Sequence, residues 1–315
     1  MPGIKDRLIE KAARAHLPIM SAFELLPVCN LKCKMCYVRK SMKDVREEGG
    51  LKSASWWLNV AQEAAACGLL YPLLTGGEPF LHPEFTEILE GMLKMGLQVS
   101  INSNGTMIDK EWAEFLHKNC PTRINITLYG ASEETYRNLC GDGKAFYKVQ
   151  QAVELLKEYK IPIKFNASIT PDNVQDLEKM ISYAKEQEIP IQAATYMFPP
   201  VRRDSSMIGK NERLSPEEAA KARVMADYLQ TDPNWFLAQA ARFQKFVPLE
   251  QRPWEQGEPY EKGMRCRAGL CSLWVDWQGN FTNCGMYGSV KTSLEGKTFK
   301  DAWDEVVKQT AEIRY

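Results

Sequence analysis

The sequence has no net charge, little histidine and no long hydrophobic run, and these absences exclude whole classes of protein. Its 40 Lys and Arg residues balance 40 Asp and Glu residues, so it lacks the excess of positive charge with which nucleic-acid-binding proteins neutralise phosphates. No run of 18 apolar residues predicts a membrane span. Residues 1–16 carry charges throughout and lack the apolar core of a signal peptide. We therefore expect a cytoplasmic protein whose partners are neither nucleic acid nor membrane.

The composition is that of a globular protein. Hydrophobic residues make up 44% of the 315 residues and charged residues 25%, and no internal repeat or low-complexity tract is evident. These proportions exclude disordered, collagen-like and coiled-coil proteins. The length fits one large domain with a small appendix.

Short apolar stretches alternate with amphipathic stretches through the middle of the sequence. Six stretches have the composition of buried strands: Met20–Leu26, Leu70–Leu74, Gln98–Asn102, Ile124–Tyr129, Ile163–Ile169 and Ile191–Tyr196. Five stretches between them have helical periodicity: Ser55–Cys67, Pro83–Met95, Lys110–Lys118, Ala145–Tyr159 and Asn173–Glu186. Repeated strand–helix units form a parallel sheet covered by helices. Six units are fewer than the eight of a closed barrel, so the sequence predicts an α/β fold, a partial (β/α)6 barrel.

The pattern changes after the sixth predicted strand. Pro199-Pro200 interrupts the alternation, helices are predicted from a capping box at Ser215 to about Phe246, and Pro248–Gly263 is a predicted linker. A hairpin around the turn Trp277-Gln278-Gly279-Asn280 and a last helix follow. We expect three parts: a barrel in 1–210, a helical connector in 211–262 and a small α+β domain in 263–315.

Nine cysteines are the most informative feature of the composition. In a reducing compartment, spaced cysteines indicate metal binding or catalysis rather than disulfides. Six of them form two sets, one near each end of the chain: Cys29, Cys33 and Cys36, and Cys266, Cys271 and Cys284. None of the three histidines lies near either set, so thiolates would be the main ligands. Three further cysteines have no partner spacing and are interpreted as small buried apolar residues: Cys67, Cys120 and Cys140.

The first set directly follows the first predicted strand, where reactive groups collect in a parallel α/β fold. Three thiolates spaced four and three residues apart can hold three irons of a cubane cluster and leave the fourth iron open. The alternatives are incidental buried cysteines, or half of a zinc site whose fourth ligand is not near in sequence.

The spacing Cys29-x3-Cys33-x2-Cys36, followed by Tyr37, resembles the signature of the radical S-adenosylmethionine (radical SAM) superfamily. The resemblance covers roughly residues 20–200. It implies an open-site [4Fe-4S] cluster that binds the methionine moiety of S-adenosylmethionine and cleaves it to a 5′-deoxyadenosyl radical.

A second motif agrees with this resemblance in order and spacing. The sequence Gly76-Gly77-Glu78-Pro79, after the second predicted strand, is similar to the family's glycine-glycine-glutamate motif. Paired glycines allow close approach of the backbone to a ligand, here the methionine moiety. By the same resemblance, cofactor contacts are expected from Tyr37 and from polar residues in or after the third and fifth predicted strands: Ser103, Asn104, Asn166 and Ser168.

The second cysteine set resembles the first half of a SPASM domain, which holds auxiliary iron–sulfur clusters in many peptide-modifying radical SAM enzymes. Cys266, Cys271 and Cys284, with Gly279 five residues before the last, are the expected ligands of at least one auxiliary [4Fe-4S] cluster. A zinc ribbon or three singly buried cysteines are the alternatives. The run of cysteines that completes a SPASM domain is missing, which indicates a chain cut short, a twitch-type domain with one auxiliary cluster, or a cluster with an open iron.

The resemblance implies an enzyme that modifies a ribosomally made precursor peptide or small protein by an oxidative C–S or C–C crosslink. Alternatives are a sulfatase-type maturase that forms formylglycine, a small-molecule radical dehydrogenase, and, outside enzymes, an iron–sulfur electron carrier or redox sensor. Flavodoxin or ferredoxin would supply electrons, and a separate peptide-recognition protein is a further expected partner. Candidates for proton transfer near the radical are Tyr129, Asp142 and Tyr196.

Overall fold

A computed structural model of the chain describes residues 3–197, 202, 213–243, 266–286, 288 and 290–313. Two predicted features, the Pro199-Pro200 break and the linker Pro248–Gly263, lie outside the described residues. Among the helices that the structure describes, none is long and apolar enough to cross a membrane.

The centre of the molecule is a parallel sheet whose strands follow one another in chain order. Its strands are β1 (Met20–Leu26), β2 (Tyr71–Gly76), β3 (Ser100–Ser103), β4 (Arg123–Thr127), β5 (Ile163–Ser168) and β6 (Ile191–Ala194). Each pairs in parallel with its neighbours from β1 to β6. The predicted α/β fold with six strand–helix units is therefore confirmed.

Helices connect the strands of this sheet and cover it, and further helices precede the first strand and follow the last strand in sequence. They are α1 (Ile4–Arg14), α2 (Met42–Glu47), α3 (Ala54–Ala66), α4 (Phe85–Lys94), α5 (Lys110–Lys118), α6 (Glu133–Cys140), α7 (Ala145–Glu158), α8 (Leu177–Glu186), α9 (Pro216–Gln230), α10 (Pro233–Phe243) and α11 (Phe299–Ile313). The sequence did not predict α1, α2 or α6. The last two have six and eight residues, too few turns for a periodic apolar pattern to stand out.

The C-terminal strands extend the same sheet. Strand β7 (Ser272–Val275) pairs in parallel with β1, and β8 (Asn280–Thr282) and β9 (Lys291–Ser293) follow it in antiparallel order. The full order is β6-β5-β4-β3-β2-β1-β7-β8-β9. The predicted hairpin thus lies directly against the first strand of the barrel.

Alternation along the strands separates the core from the barrel interior. In β5, Ile163, Phe165 and Ala167 are buried, whereas Asn166 and Ser168 are half-buried and point to the opposite face. The apolar face packs under the helices, where burial of a large side chain contributes about 1.5–3 kcal/mol. The polar face lies toward the interior of the barrel, and the candidate site is therefore expected there.

Candidate active site

A cavity of about 420 Å³ opens at the carboxyl ends of the parallel strands. It brings together most of the residues that the sequence analysis selected: Cys29, Cys33, Cys36, Tyr37, Gly76, Gly77, Ser103, Asn104, Tyr129, Asn166, Ser168 and Tyr196. Six selected residues do not line it: Glu78, Pro79 and Asp142, and the second cysteine set, Cys266, Cys271 and Cys284. Residues far apart in sequence meet here because parallel strands end at one edge of the sheet.

The glycine turn lies tightly against the segment that leads into the cysteine loop. A Cβ atom on Gly76 would lie 2.3 Å from the Leu26 carbonyl oxygen, and one on Gly77 would lie 2.0 Å from the Val28 carbonyl oxygen. Gly76 also has φ = +140°, a conformation that residues with a side chain rarely adopt. The Gly77 amide donates to Leu26 O at 2.7 Å. Only glycine therefore fits at either position.

Glu78 is fully buried and fixes the loop that follows β3. Its carboxylate accepts hydrogen bonds from Ser103 Oγ at 2.9 Å and from the Asn104 amide at 2.8 Å, and a longer one from the Phe80 amide. Burial raises the pKa of Glu78 to about 7, although these hydrogen bonds lower it. In this structure the carboxylate holds Ser103 and Asn104 at the cavity instead of facing the cavity itself.

Asn104 connects that loop to the first cysteine. Its Nδ2 donates to Asn30 Oδ1 at 2.9 Å and approaches Cys29 Sγ at 3.6 Å. Asn30 in turn donates to Thr106 Oγ1 at 2.7 Å. The network joins the cysteine loop to the end of β3, so Glu78, Asn104 and Cys29 form one connected unit.

Backbone amides point at two of the three thiols in the first set. The Leu31 amide donates to Cys29 Sγ at 3.4 Å, and the Arg39 amide donates to Cys36 Sγ at 3.3 Å. Burial raises the pKa of the Cys29 thiol to about 12. Amide donors of this kind stabilise thiolates and tune the potential of iron–sulfur clusters.

Cys33 has a neighbour that the sequence analysis did not select. A hydrogen bond with the Cys140 thiol, together with burial, raises the pKa of Cys33, and Tyr129 also contacts it. Cys140 ends helix α6, which was not predicted, and Gly141 closes that helix with φ = +79°. The short sequence Leu139-Cys140-Gly141 indicates a helix end with a glycine cap, whereas its place at the cysteine loop depends on long-range hydrogen bonds, such as that from the Lys32 amide to the Cys140 carbonyl at 2.8 Å.

The cavity fits an iron–sulfur cluster and S-adenosylmethionine in its donor chemistry. Three thiols, a glycine turn without room for a side chain and polar strand ends border one space. The Oδ1 atom of Asn166 is buried there without a hydrogen-bond partner among the described residues, as an atom awaiting a ligand would be. Within the described part of the chain, no three His, Cys, Asp or Glu side chains converge closely enough to hold a metal ion.

The three candidates for proton transfer differ in position. Tyr129 lines the cavity and is 8% exposed. Tyr196 lies at the cavity with 57% of its surface exposed, and its hydroxyl accepts a hydrogen bond from Arg213 at 3.2 Å. Asp142 caps the following backbone through the Lys144 amide at 2.9 Å and lies outside the cavity lining.

The second cysteine set has different surroundings. Cys271 is fully buried in an apolar cluster with Ile9, Ala12 and Ile19, and burial raises its pKa. Cys284 is half-buried, and its amide donates to Thr282 Oγ1. As at the first set, no three ligating side chains among the described residues converge closely enough to hold a metal ion. The ligands of an auxiliary cluster therefore stay a prediction.

Comparison with known proteins agrees with this site. A family model described as the Radical SAM superfamily matches residues 23–184. The AdoMet-dependent heme synthase of Methanosarcina barkeri is 24% identical over 302 residues, which cover 93% of this chain and 84% of that protein. The antilisterial bacteriocin subtilosin biosynthesis protein AlbA of Bacillus subtilis is 25% identical over 294 residues, and the match covers 92% of this chain but only 59% of AlbA.

Solved structures share the fold. Streptococcus suis SuiB, in its crystal structure with the precursor peptide SuiA, superposes with a TM-score of 0.69 at 16% identity and covers 97% of this chain and 70% of its own. The matched family model spans just over half of the sequence and includes the first cysteine set, the glycine turn and strands β3 to β5. The chain therefore belongs to the radical SAM superfamily.

Proposed function

We propose that this chain modifies a ribosomally made peptide by radical chemistry, in a two-electron oxidation that forms a C–S or C–C crosslink: one hydrogen atom would pass to the 5′-deoxyadenosyl radical, and the second electron would pass to a one-electron acceptor as a proton leaves to water. Because the chain belongs to the radical SAM superfamily, it is an enzyme that uses a [4Fe-4S] cluster and S-adenosylmethionine. When bound, these two groups supply a 5′-deoxyadenosyl radical, which abstracts a hydrogen atom from the substrate. One observation carries the proposal: the cavity combines the first cysteine set and the glycine turn with space at the open end of the barrel.

The chain's own residues would bind and orient the two groups. Cys29, Cys33 and Cys36 are the proposed cluster ligands, with amide donors already directed at two of the thiols. The backbone of Gly76 and Gly77 would approach the methionine moiety. Glu78 would act on the cofactor by holding Ser103 and Asn104 in place.

Further cavity residues would surround the rest of the cofactor. Tyr37, Asn166 and Ser168 line the same space, and the unpaired Asn166 Oδ1 would accept a hydrogen bond there. Hydrogen abstraction requires the reacting atoms in contact, so positioning supplies much of the rate.

A peptide substrate is supported by two similar proteins whose names refer to peptides. AlbA is a bacteriocin biosynthesis protein, and SuiB was crystallised with its precursor peptide SuiA. Several expectations stay predictions. They are the auxiliary cluster on Cys266, Cys271 and Cys284, the domain boundaries at residues 210 and 262, a flavodoxin or ferredoxin reductant, a separate recognition protein and the cytoplasmic location.

A second candidate is radical oxidation of a small molecule. It is favoured by the heme synthase relative, which matches this chain over 93% of its length. A formylglycine-forming maturase remains the other alternative among peptide-modifying enzymes.

The proposal is tested by anaerobic reconstitution followed by reduction with dithionite in the presence of S-adenosylmethionine. Iron and sulfide are counted per chain, and 5′-deoxyadenosine is quantified. We expect at least about four irons per chain and formation of 5′-deoxyadenosine, as one [4Fe-4S] cluster requires. About eight irons would add the auxiliary cluster. Zinc in place of iron, with no 5′-deoxyadenosine, would contradict the proposed function.

A further inference from the structure

The cavity has two chemically different walls. One consists of the first cysteine set, the glycine turn and polar strand ends. The other is apolar and sulfur-rich, with Met197, Trp274 and Met286. Among the described residues that line the cavity, there is no Asp, Glu, Lys, Arg or His.

Trp274 and Met286 come from the C-terminal part of the chain, which a closed ring of contacts fixes to β1. The fully buried Glu24 of β1 pairs with both Arg202 guanidinium nitrogens, at 2.7 and 2.8 Å. Trp274 Nε1 donates to the same carboxylate at 2.9 Å. Arg202 Nη1 also donates to the Gly285 carbonyl at 2.8 Å. Gly285 therefore lies beside Trp274 at the back of this wall.

Gly285 closes the ring by lying flat on the indole. A Cβ atom at this position would lie 2.3 Å from the Trp274 ring, so only glycine lets the backbone pack against it. Met286 is the next residue, and its place at the cavity follows from the position of Gly285. The wall is thus positioned by four residues: Glu24, Arg202, Trp274 and Gly285.

The same ring pairs the charges of Glu24 and Arg202 with each other. The Glu24 carboxylate accepts hydrogen bonds from the Arg202 guanidinium and the Trp274 indole. The Arg202 guanidinium also donates to the Gly285 carbonyl. A carboxylate brought against Trp274 and Met286 would lose its hydration without gaining a charged partner among the described lining residues, which is unfavourable. Methionine side chains adapt to irregular apolar shapes, and an indole offers a large apolar face.

We propose that the wall formed by Trp274 and Met286 receives the reacting residue of the substrate, and that it selects an uncharged apolar or aromatic side chain. This inference rests on the proposed function and narrows it to a peptide presenting such a side chain. It disfavours substrates that bring carboxylates to the same wall.

The test uses capped peptides of the form acetyl-Gly-Ser-X-Ser-Gly-amide. X is deuterated leucine, phenylalanine or glutamate, and deuterium in 5′-deoxyadenosine is measured by mass spectrometry. In the reaction a substrate C–D bond breaks and a C–D bond forms in the methyl group of 5′-deoxyadenosine, and the peptide radical that remains takes an electron from dithionite and a proton from water. We expect transfer from leucine or phenylalanine to exceed transfer from glutamate by at least about tenfold, equivalent to 1.4 kcal/mol.

Binding is measured separately, without reduction, by anisotropy of dye-labelled versions of the same peptides with S-adenosylmethionine present. The Met286→Lys variant should reverse the preference, because a cation on the wall provides a partner for the glutamate carboxylate. The Met286→Leu variant, which conserves volume and polarity, should keep the wild-type preference. Met42→Lys serves as the matched control, because Met42 is 41% exposed on α2 and outside the cavity lining.

The outcomes separate this inference from the proposed function. The inference is overturned if glutamate donates deuterium as well as leucine, if no peptide donates while 5′-deoxyadenosine still forms, or if Met286→Lys retains the wild-type ratios in both transfer and binding. Absence of 5′-deoxyadenosine from the wild-type protein with S-adenosylmethionine alone would instead overturn the proposed function, and this inference with it.

Discussion

The two cysteine sets each have three members, but they differ in their spacing in the sequence and in their surroundings in the structure. The first set borders a cavity, and two of its thiols accept backbone hydrogen bonds. The middle member of the second set, Cys271, is fully buried among aliphatic side chains of α1 and the segment before β1. Spacing shows which cysteines belong together, whereas the neighbouring backbone and the adjoining space show what each thiol is able to do.

The largest effect is expected from removing one proposed ligand of the first cysteine set. Cys29→Ala should remove one proposed ligand and lower the yield of 5′-deoxyadenosine roughly 100-fold or more, since loss of even a supporting contact at a metal site costs 10–100-fold. Iron content per chain should fall in parallel, measured after reconstitution. The exposed Cys120 provides the control, and Cys120→Ala should keep both values. Full cofactor cleavage by Cys29→Ala would remove this set from the chemistry.

The next effect compares two glycines with no room for a side chain. In Gly77→Ala the new methyl would meet the Val28 carbonyl, and in Gly285→Ala it would meet the Trp274 ring. We expect Gly77→Ala to weaken S-adenosylmethionine binding about tenfold or more, because a displacement of about 1 Å in a positioned site is costly. Gly285→Ala should leave that binding within about twofold, since Gly285 contacts Trp274 and Arg202 and not the glycine turn. Equilibrium binding of S-adenosylmethionine is measured for both variants. Equal losses of affinity would show that the glycine turn and the Trp274 wall do not act independently.

A smaller effect concerns Cys271. As a buried apolar residue it should contribute mainly to stability, so Cys271→Ala should lower the free energy of unfolding by about 1 kcal/mol. Chemical denaturation measures this change, and iron is counted on the same samples. An unchanged iron count would assign the residue to the apolar cluster. A loss of iron would instead show Cys271 to be a ligand and make the two sets more alike than the structure suggests.

The last expected effect is a pH dependence of stability from Glu78, which holds the loop beside the first set. Burial raises the pKa of Glu78 from 4.5 to about 7, so the folded state holds a proton that the unfolded state loses between those values. The stability contributed by this proton is complete below about pH 4.5 and is lost as the pH rises through about 7.

Glu78→Gln should flatten this part of the stability profile, measured by denaturation between pH 5 and 8 in wild type and variant. The expected difference in free energy is a few kcal/mol at most. A wild-type profile that rises through this pH window, with the same shape in the variant, would show that Glu78 titrates normally.

Much of the site follows from local patterns in the sequence. Strand alternation places Asn166 and Ser168 on the polar face of β5, and the position of the first cysteine set after β1 predicts its place at the edge of the sheet. Such features depend on residues close together in the chain, and periodicity records them.

The remaining features depend on contacts across long stretches of chain. Glu78 reaches Ser103, 25 residues away, and Glu24 reaches Arg202, 178 residues away. Neither pairing leaves a local pattern, since a single acid in an apolar strand does not identify its partner. Cys140 approaches Cys33 only because helix α6 ends there. The parallel pairing of β7 with β1, which brings Trp274 to the cavity, is likewise invisible in the hairpin pattern.

The central claim is that S-adenosylmethionine binds at the first cysteine set and not at the second. Electron–nuclear double resonance of the reduced protein, with S-adenosylmethionine labelled at the methionine carboxylate and amino groups, tests this directly. We expect hyperfine coupling to the label in the wild-type protein and in Cys284→Ala, and its absence in Cys29→Ala. Coupling that survives in Cys29→Ala and disappears in Cys284→Ala would contradict the account.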